Sequence, residues 1–250
     1  MARRESRSPR LYVAEPLYTG ASVELASGQT HYLVTVLRLK TDDHVLVFNG
    51  RDGEWRARLV GTDKRSATLI SDQLTRPQTA SADLHYMFAP LKHARLDYMV
   101  QKAVELGVSR LQPVLTRHTQ TERVNVGRMR ANTIEAAEQC GMLNLAEVCE
   151  PVPLATALER MDTARVLVFC DEDAPITDPM SALTAARRDD QQLALAVLIG
   201  PEGGFSEQER AAIFKHKSTV RLALGPRILR ADTAAVAALT LVQVVLGDWR

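Results

Sequence analysis

Residues 193–210 read LALAVLIGPEGGFSEQER. Seven apolar residues, Leu193 to Ile199, run into Gly200, and a Pro-Glu-Gly-Gly loop follows. Ser206 and Glu209 then form an S-x-x-E capping box, which marks a helix start. An apolar strand that turns through glycines into a capped helix fits a parallel sheet covered on both faces. The loop matches neither G-x-G-x-x-G nor the Walker A pattern, so a Rossmann dinucleotide site or a P-loop is not supported. In isolation, a tight strand-to-helix turn explains the stretch.

A second loop shifts that balance. Residues 222–239 read LALGPRILRADTAAVAAL: an apolar run, Gly225-Pro226, two arginines, then a helix. Both loops are expected at the carboxyl ends of neighbouring strands, where open α/β sheets bind ligands. Backbone amides freed by Gly203 and Gly204, with apolar side chains around them, would line such a pocket. The closing helix has no charge from Thr233 to Gly247. A helix apolar all round must be buried on nearly all sides, under the site, against a second subunit, or both.

The same alternation extends back to residue 84. Strands are expected at 84–90, 110–116, 165–172, 193–200 and 219–225, and helices at 93–107, 127–141, near 178–188, from Ser206 and over 232–247. Pro113 argues that the second of these strands is short or near an edge. This is a mostly parallel α/β sheet. The first part differs. HVLVFNG (44–50), EWRARLVG (54–61) and SATLIS (66–71) read as strands, with Asn49-Gly50 and Asp52-Gly53 as turn chemistry. HYLVTVLRL (31–39) reads as a short helix. A small β-barrel over 1–78, a polar linker at 76–83 and an α/β domain over 79–250 are expected.

The chain has 250 residues, 46% of them hydrophobic, enough for one large domain or two smaller ones. No apolar run approaches a membrane span, and the basic start MARRESRSPR is followed by no apolar signal core, so a cytoplasmic protein is expected. Cys140, Cys149 and Cys170 form no CxxC pair; core thiols in a reducing compartment explain them. The net charge of +1 is distributed unevenly: +3 over 1–78, +4 over 79–130 and −6 over 131–250. A polyanion-facing end and a chance imbalance of solvated charges explain this equally well. CDEDAP (170–175) invites a Mg²⁺ reading, but no other ligand cluster supports it, and a solvated strand-end loop is expected, with no metal.

The pair LIGPEGGFS and LALGPRILRADTAA resembles the signature of the knotted-sheet (SPOUT) RNA methyltransferases, and within them the bacterial 16S ribosomal RNA uridine-N3 methyltransferase family. RLYV near the start, HYLVTVLRL, QKAVELGV (101–108) and EAAEQCG (135–141) agree, so the resemblance covers essentially the whole chain. It implies an N-terminal PUA-like barrel and an α/β domain with a deep trefoil knot. It also implies S-adenosylmethionine as cofactor, a homodimer, and as target the small ribosomal subunit's uridine 1498 in reference numbering. The chain departs from the family pattern in three places. Asp232 stands where glutamate is usual, and Met142 where arginine is common. Lys92 is followed by His93-Ala94-Arg95 rather than Gly-Asp.

By that resemblance, Leu198, Ile199, Gly200, Gly203 and Gly204 of the first loop would hold the cofactor. So would Leu222, Leu224, Gly225, Ile228, Leu229, Arg230, Thr233 and Ala234 of the second. Methylating uridine N3 requires loss of its proton, and the charge that develops on the uracil oxygens needs fixed donors. Arg230 is the first candidate for that role; Arg227 is the second, with phosphate or dimer contacts its preferred reading, and a salt bridge to Glu202 or Asp232 is the plain alternative for each. Glu202 and Asp232 are possible proton acceptors, with helix capping the alternative for Asp232. No histidine lies in either glycine loop, and His118 reads as a solvated loop residue. RNA phosphates would be met by Arg3, Arg4, Arg7, Arg10, Arg38 and Lys40, and beyond the linker by Lys92, Arg117 and Arg123. Two other readings remain: a non-catalytic RNA-binding or ribosome-assembly factor, and a methyltransferase for another RNA site.

Overall fold

Alternating inward apolar residues build the first unit. The computed structural model describes residues 8–61, 66–121, 123–175, 178–187 and 193–249. The chain divides into two compact units, one formed by residues up to Ala80 with Ala137–Leu145, the other by Ser81–Ala136 with Ala146 onward. In the first, strands β1 (Arg10–Tyr12), β2 (Ser22–Glu24), β3 (His44–Phe48), β4 (Glu54–Val60) and β5 (Thr68–Arg76) form one sheet in the order β1-β3-β4-β5-β2. The β1–β3 pair is parallel and the rest antiparallel. Val45, Val47, Ala57, Leu59 and Leu69 alternate along their strands into one core with Leu11, Val23 and Leu33. Among the described residues no pairing joins β1 to β2, so this is a five-stranded sheet rather than a closed barrel.

Two expectations for the elements of this unit change. The helix expected at 31–39 is a four-residue α1 (Ser27–Thr30) running into a π-helical segment, His31–Val36. Arg38 ends it with φ at +58°, a left-handed conformation usually left to glycine. The strand expected at 66–71 runs on to Arg76. Only Thr68–Ile70 pair with β2, so the polar remainder has β4 alone as partner and tolerates solvent. Gly53 turns the β3–β4 hairpin at φ +84°; a Cβ there would stand 2.4 Å from the Arg76 carbonyl oxygen. β1 and β2 carry too few residues to show a period.

The second unit alternates as its sequence predicts. Its parallel sheet comprises β6 (Leu84–Phe88), β7 (Arg110–Leu115), β8 (Glu147–Val148), β9 (Val152–Pro153), β10 (Val166–Cys170), β11 (Leu195–Ile199) and β12 (Thr219–Leu222). The order is β12-β10-β11-β6-β7-β8, with β9 also on β7. The helices are α2 (His93–Glu105), α3 (Val126–Cys140), α4 (Leu154–Glu159), α5 (Pro179–Thr184), α6 (Glu207–Phe214) and α7 (Ala231–Val245). α2 and α5 pack on α7, and α4 packs on α6. β11 is buried at every position, as a strand covered on both faces must be. Pro113 does not mark an edge: β7 pairs with β6 on one side and with β8 then β9 on the other. The proline falls where the partner changes, since β8 takes Arg110–Leu111 and β9 takes Val114–Leu115. Gln112 bridges the gap, its Nε2 donating to the Glu150 carbonyl at 3.0 Å.

α7 carries one buried polar side chain, Gln243. Its Nε2 donates to the Leu106 carbonyl at 2.6 Å, satisfying an acceptor left open at the end of α2. Gly107 and Gly247 make room for it; a Cβ on either would fall within 2.5 Å of the Gln243 amide.

Candidate active site

The two glycine loops leave the carboxyl ends of β11 and β12, as expected, but those strands are not neighbours. β10 lies between them, with Phe169 in register with Leu198 and Cys170 with Leu222. Three strand ends therefore meet at this edge, and the residues after Cys170 belong to it.

Each loop glycine has a local reason. A Cβ on Gly200 would stand 2.5 Å from the Phe205 ring, so the glycine lets that ring fold back under the strand end. Gly203 faces His118, whose Cβ would be 3.1 Å from an added Cβ. Gly204 and Gly225 have φ of +69° and +94° with nothing within 4 Å, so backbone conformation requires them. Ser206 caps α6 as predicted, and Glu209 Oε2 returns to the Ser206 amide at 2.8 Å. The other oxygen of Glu209 accepts the Arg117 amide at 2.7 Å. His118 Nδ1 lies 3.1 Å from the Gly204 carbonyl oxygen. The loop after β7 is thus fastened at Arg117 and His118 to the first glycine loop and the helix it starts, which its polar sequence did not reveal: a solvated loop and a docked one have the same composition.

Among the proposed cofactor residues, Leu198, Ile199 and Leu222 are buried, and Leu198 belongs to a core cluster with Leu167, Phe169 and Ile213. Those side chains are committed to the interior, so a ligand would meet the backbone that follows them. Leu224 and Leu229 are half-buried. Ile228 is 92% exposed. Thr233 and Ala234 lie in the first turn of α7, Thr233 exposed and Ala234 buried.

Arg230 is the N-cap residue of α7 and is exposed. Among the described residues neither it nor Arg227 makes a side-chain hydrogen bond or ion pair, so the salt-bridge alternative does not occur. Glu202 stands 3.5 Å from Arg95 instead, a partner that sequence spacing did not disclose. Asp232 accepts the Thr233 amide at 2.9 Å through Oδ1. The CDEDAP stretch is not solvated at its start. Asp171 is buried and paired with Arg210 and Arg221. Among the described residues no group of acidic, histidine or cysteine side chains could hold a metal ion, and no helix is long and apolar enough to cross a membrane. Two grooves, of about 520 and 480 Å³, are lined by no residue of either glycine loop; one lies beside His85 and Arg165 and one along β12.

Arg3, Arg4 and Arg7 lie outside the described residues. Arg10 requires a correction. Its side chain is 11% exposed, pairs with Glu54 at 2.6 Å, and donates to the carbonyls of Ala137, Glu138 and Met142 at the end of α3. A guanidinium so used is a helix C-terminal cap, not a phosphate ligand. Arg38, Lys40, Lys92, Arg117 and Arg123 are exposed, and their side chains are unpaired among the described residues.

Sequence comparison agrees with the geometry. Residues 78–243 match the RNA methyltransferase domain family and residues 25–70 the RNA methyltransferase PUA domain. A ribosomal RNA small subunit methyltransferase E from Rickettsia conorii is 30% identical over 94% of this chain and 95% of its own. One from Synechocystis is also 30% identical, over 95% of this chain and 78% of its own. Among solved structures, a ribosomal RNA small subunit methyltransferase E from Neisseria gonorrhoeae bound to S-adenosyl methionine superposes with a TM-score of 0.86 at 26% identity, covering 98% of this chain and all of that one. A putative methyltransferase from Legionella pneumophila, in complex with the same cofactor, gives 0.80 at 27% identity, covering 95% and 98%. The fold and these loops define an RNA methyltransferase with a PUA domain. Within that class, the chain belongs to the ribosomal RNA small subunit methyltransferase E family.

Proposed function

We propose that this protein methylates N3 of a uridine in 16S ribosomal RNA, position 1498 in reference numbering, with S-adenosylmethionine as donor. The observation that carries the reading is the edge where two glycine loops flank the end of β10 and an unpaired arginine, Arg230, opens the helix that follows. The residues fit the cofactor. Positive-φ glycines at 204 and 225 turn the main chain in the two loops, and Leu224, Ile228 and Leu229 offer apolar surface beside them. When bound, the cofactor supplies an electrophilic methyl group.

The chain's own residues do the rest. Arg230 holds a fork of donors toward the uracil oxygens, where charge gathers as N3 loses its proton. Asp232, with Oδ1 engaged by the Thr233 amide, keeps Oδ2 for that proton, while Glu202 shares its charge with Arg95. N3 lies on the Watson–Crick edge, so the uridine must be unpaired or turned out of its stack. Exposed Arg38 and Lys40 in one unit, and Lys92, Arg117 and Arg123 in the other, serve RNA phosphates. The reading includes a deep trefoil knot in the methyltransferase unit, a division of the chain near residue 78, a cytoplasmic location, and a homodimer. The stretch of α7 from Thr233 on, which carries no charge, supports the dimer, since Val244 (44%) and Trp249 (49%) remain exposed near its end.

Calorimetry with S-adenosylmethionine tests cofactor binding. An intact chain that binds none is an RNA-binding or assembly factor instead. Mass spectrometry of ribosomal RNA from a deletion strain, with and without the gene restored, identifies the nucleotide. Arg230→Ala should lower kcat at least about a hundredfold, the scale of one lost donor to a developing oxyanion, with cofactor affinity little changed. A lowered melting temperature with kcat intact would make Arg230 structural.

A further inference from the structure

The side chain of Asp171 is 0% exposed and follows directly on β10, between the two glycine loops. Its Oδ1 accepts Arg210 Nη1 at 2.9 Å and the Asp173 amide at 3.1 Å. Its Oδ2 accepts Arg221 Nε at 2.6 Å and Arg210 Nη2 at 3.2 Å. Burying a carboxylate is costly unless such partners compensate, and this one is compensated on both oxygens.

The partners come from the elements that carry the loops. Arg210 lies on α6, whose start is set by the first glycine loop, and its guanidinium stands over Phe169 and Phe214 at 5.7 and 5.6 Å. Phe169 meets Phe205 edge-on at 5.4 Å, and Phe205 is the ring that rests on Gly200. On the other side, Arg221 belongs to β12 and stands 5.1 Å over Phe214. Arg221 also donates to the Asp173 carbonyl. The Asp171 amide itself donates to the Leu222 carbonyl at 3.0 Å, three residues before Gly225. One contiguous cluster thus runs from Gly200 through Phe205, Phe169, Arg210 and Asp171 to Arg221.

We propose that Asp171 is a positioning residue that fixes both glycine loops to one aromatic and ionic cluster around its buried carboxylate, so that they keep the spacing a ligand between them requires. This rests on the reading of those loops as the cofactor site. A hydrophobic plug would fill the same space, but a carboxylate held by two guanidiniums also fixes the angle and register of α6 and β12.

The test compares Asp171→Asn with the wild type in the full chain, and uses Leu111→Ala, a cavity in β7 outside the cluster, as a control for lost stability. Amide exchange is measured without cofactor at residues 202–205 and 223–229, and cofactor affinity by calorimetry. Asp171→Asn should speed exchange in both loops and weaken binding about tenfold, with kcat at saturating cofactor within about twofold. Leu111→Ala should lower the melting temperature and leave both readouts in place. Unchanged exchange and affinity in Asp171→Asn overturn the proposal, as does an equal loss of affinity in Leu111→Ala. If Asp171→Asn fails to fold, Arg221→Lys, which keeps the charge and loses the fork, makes the same comparison. A wild type that binds no cofactor refutes the cofactor reading, while the exchange data still decide the positioning role.

Discussion

Arg10 pairs with Glu54, whose side chain is 6% exposed, and donates to three main-chain carbonyls, although it belongs to a basic run expected to meet RNA phosphates. Its removal leaves three carbonyls without their donor and Glu54 with Arg76, at 3.3 Å, as its remaining ion pair, so Arg10→Leu should cost about 3 kcal/mol in urea unfolding. A cost under about 1 kcal/mol, the scale of an exposed pair, would show the network to be dispensable. His85 offers a second measurement. Burial, and after it the charge of Arg165, pushes its imidazole down from 6.5 to about 4, against the pull of Asp83. The folded state therefore keeps the ring neutral where the unfolded chain takes up a proton. Its contribution to stability is complete above about pH 6.5 and is lost as pH falls toward 4. His85→Gln should lose less stability than wild type between pH 7 and pH 5, read as urea midpoints; equal losses would clear His85 as the titrating group. Neither role shows in a sequence, where an arginine in a basic tail and a histidine in a strand look alike whether paired or solvated.

Elements were more legible than residues, because helix and strand signals are local. The S-x-x-E box at Ser206 and Glu209 predicts the first residue of α6, and both halves of the box form. Ser206→Ala should cost about 1 kcal/mol. The penalty should exceed that of a non-capping change in the same turn, Gln208→Ala, and thermal melts that fail to separate the two would deny the cap its role. Glu209 also holds the Arg117 amide, so the box anchors a loop as well as a helix. The expected elements that changed are those whose partners lie far away in the chain. β5 extends because β4 continues beside it, and Pro113 sits inside a sheet because its partner strand changes there. β8 and β9 have two residues each, below the length at which any period can be read.

At the scale of the molecule, Ala137–Leu145 groups with the N-terminal unit, although 56 residues of the other unit, Ser81–Ala136, separate it from Ala80. No single cut reproduces that division. A chain lacking residues 1–78 loses Arg10, Arg76 and Gln78, the partners of Ala137, Gly141 and Asn144. It should therefore melt lower, yet still bind S-adenosylmethionine by calorimetry, because both glycine loops belong to the other unit. Its methylation of RNA should be abolished. Full RNA methylation by that fragment would refute the division of labour between the units.

The sequence by itself determined the class of each long element, the two glycine loops with their capped helix, and through those loops the family. All of these are patterns within a few residues, where periodicity, caps and turn chemistry act. The tertiary structure alone decided that β10 separates the two loops, that Asp171 ties them together, and that Arg10 faces inward. It also docked His118 on Gly204. The side-chain contacts among these join residues 39 to 132 positions apart, and charge pairing across such distances leaves no period in the chain.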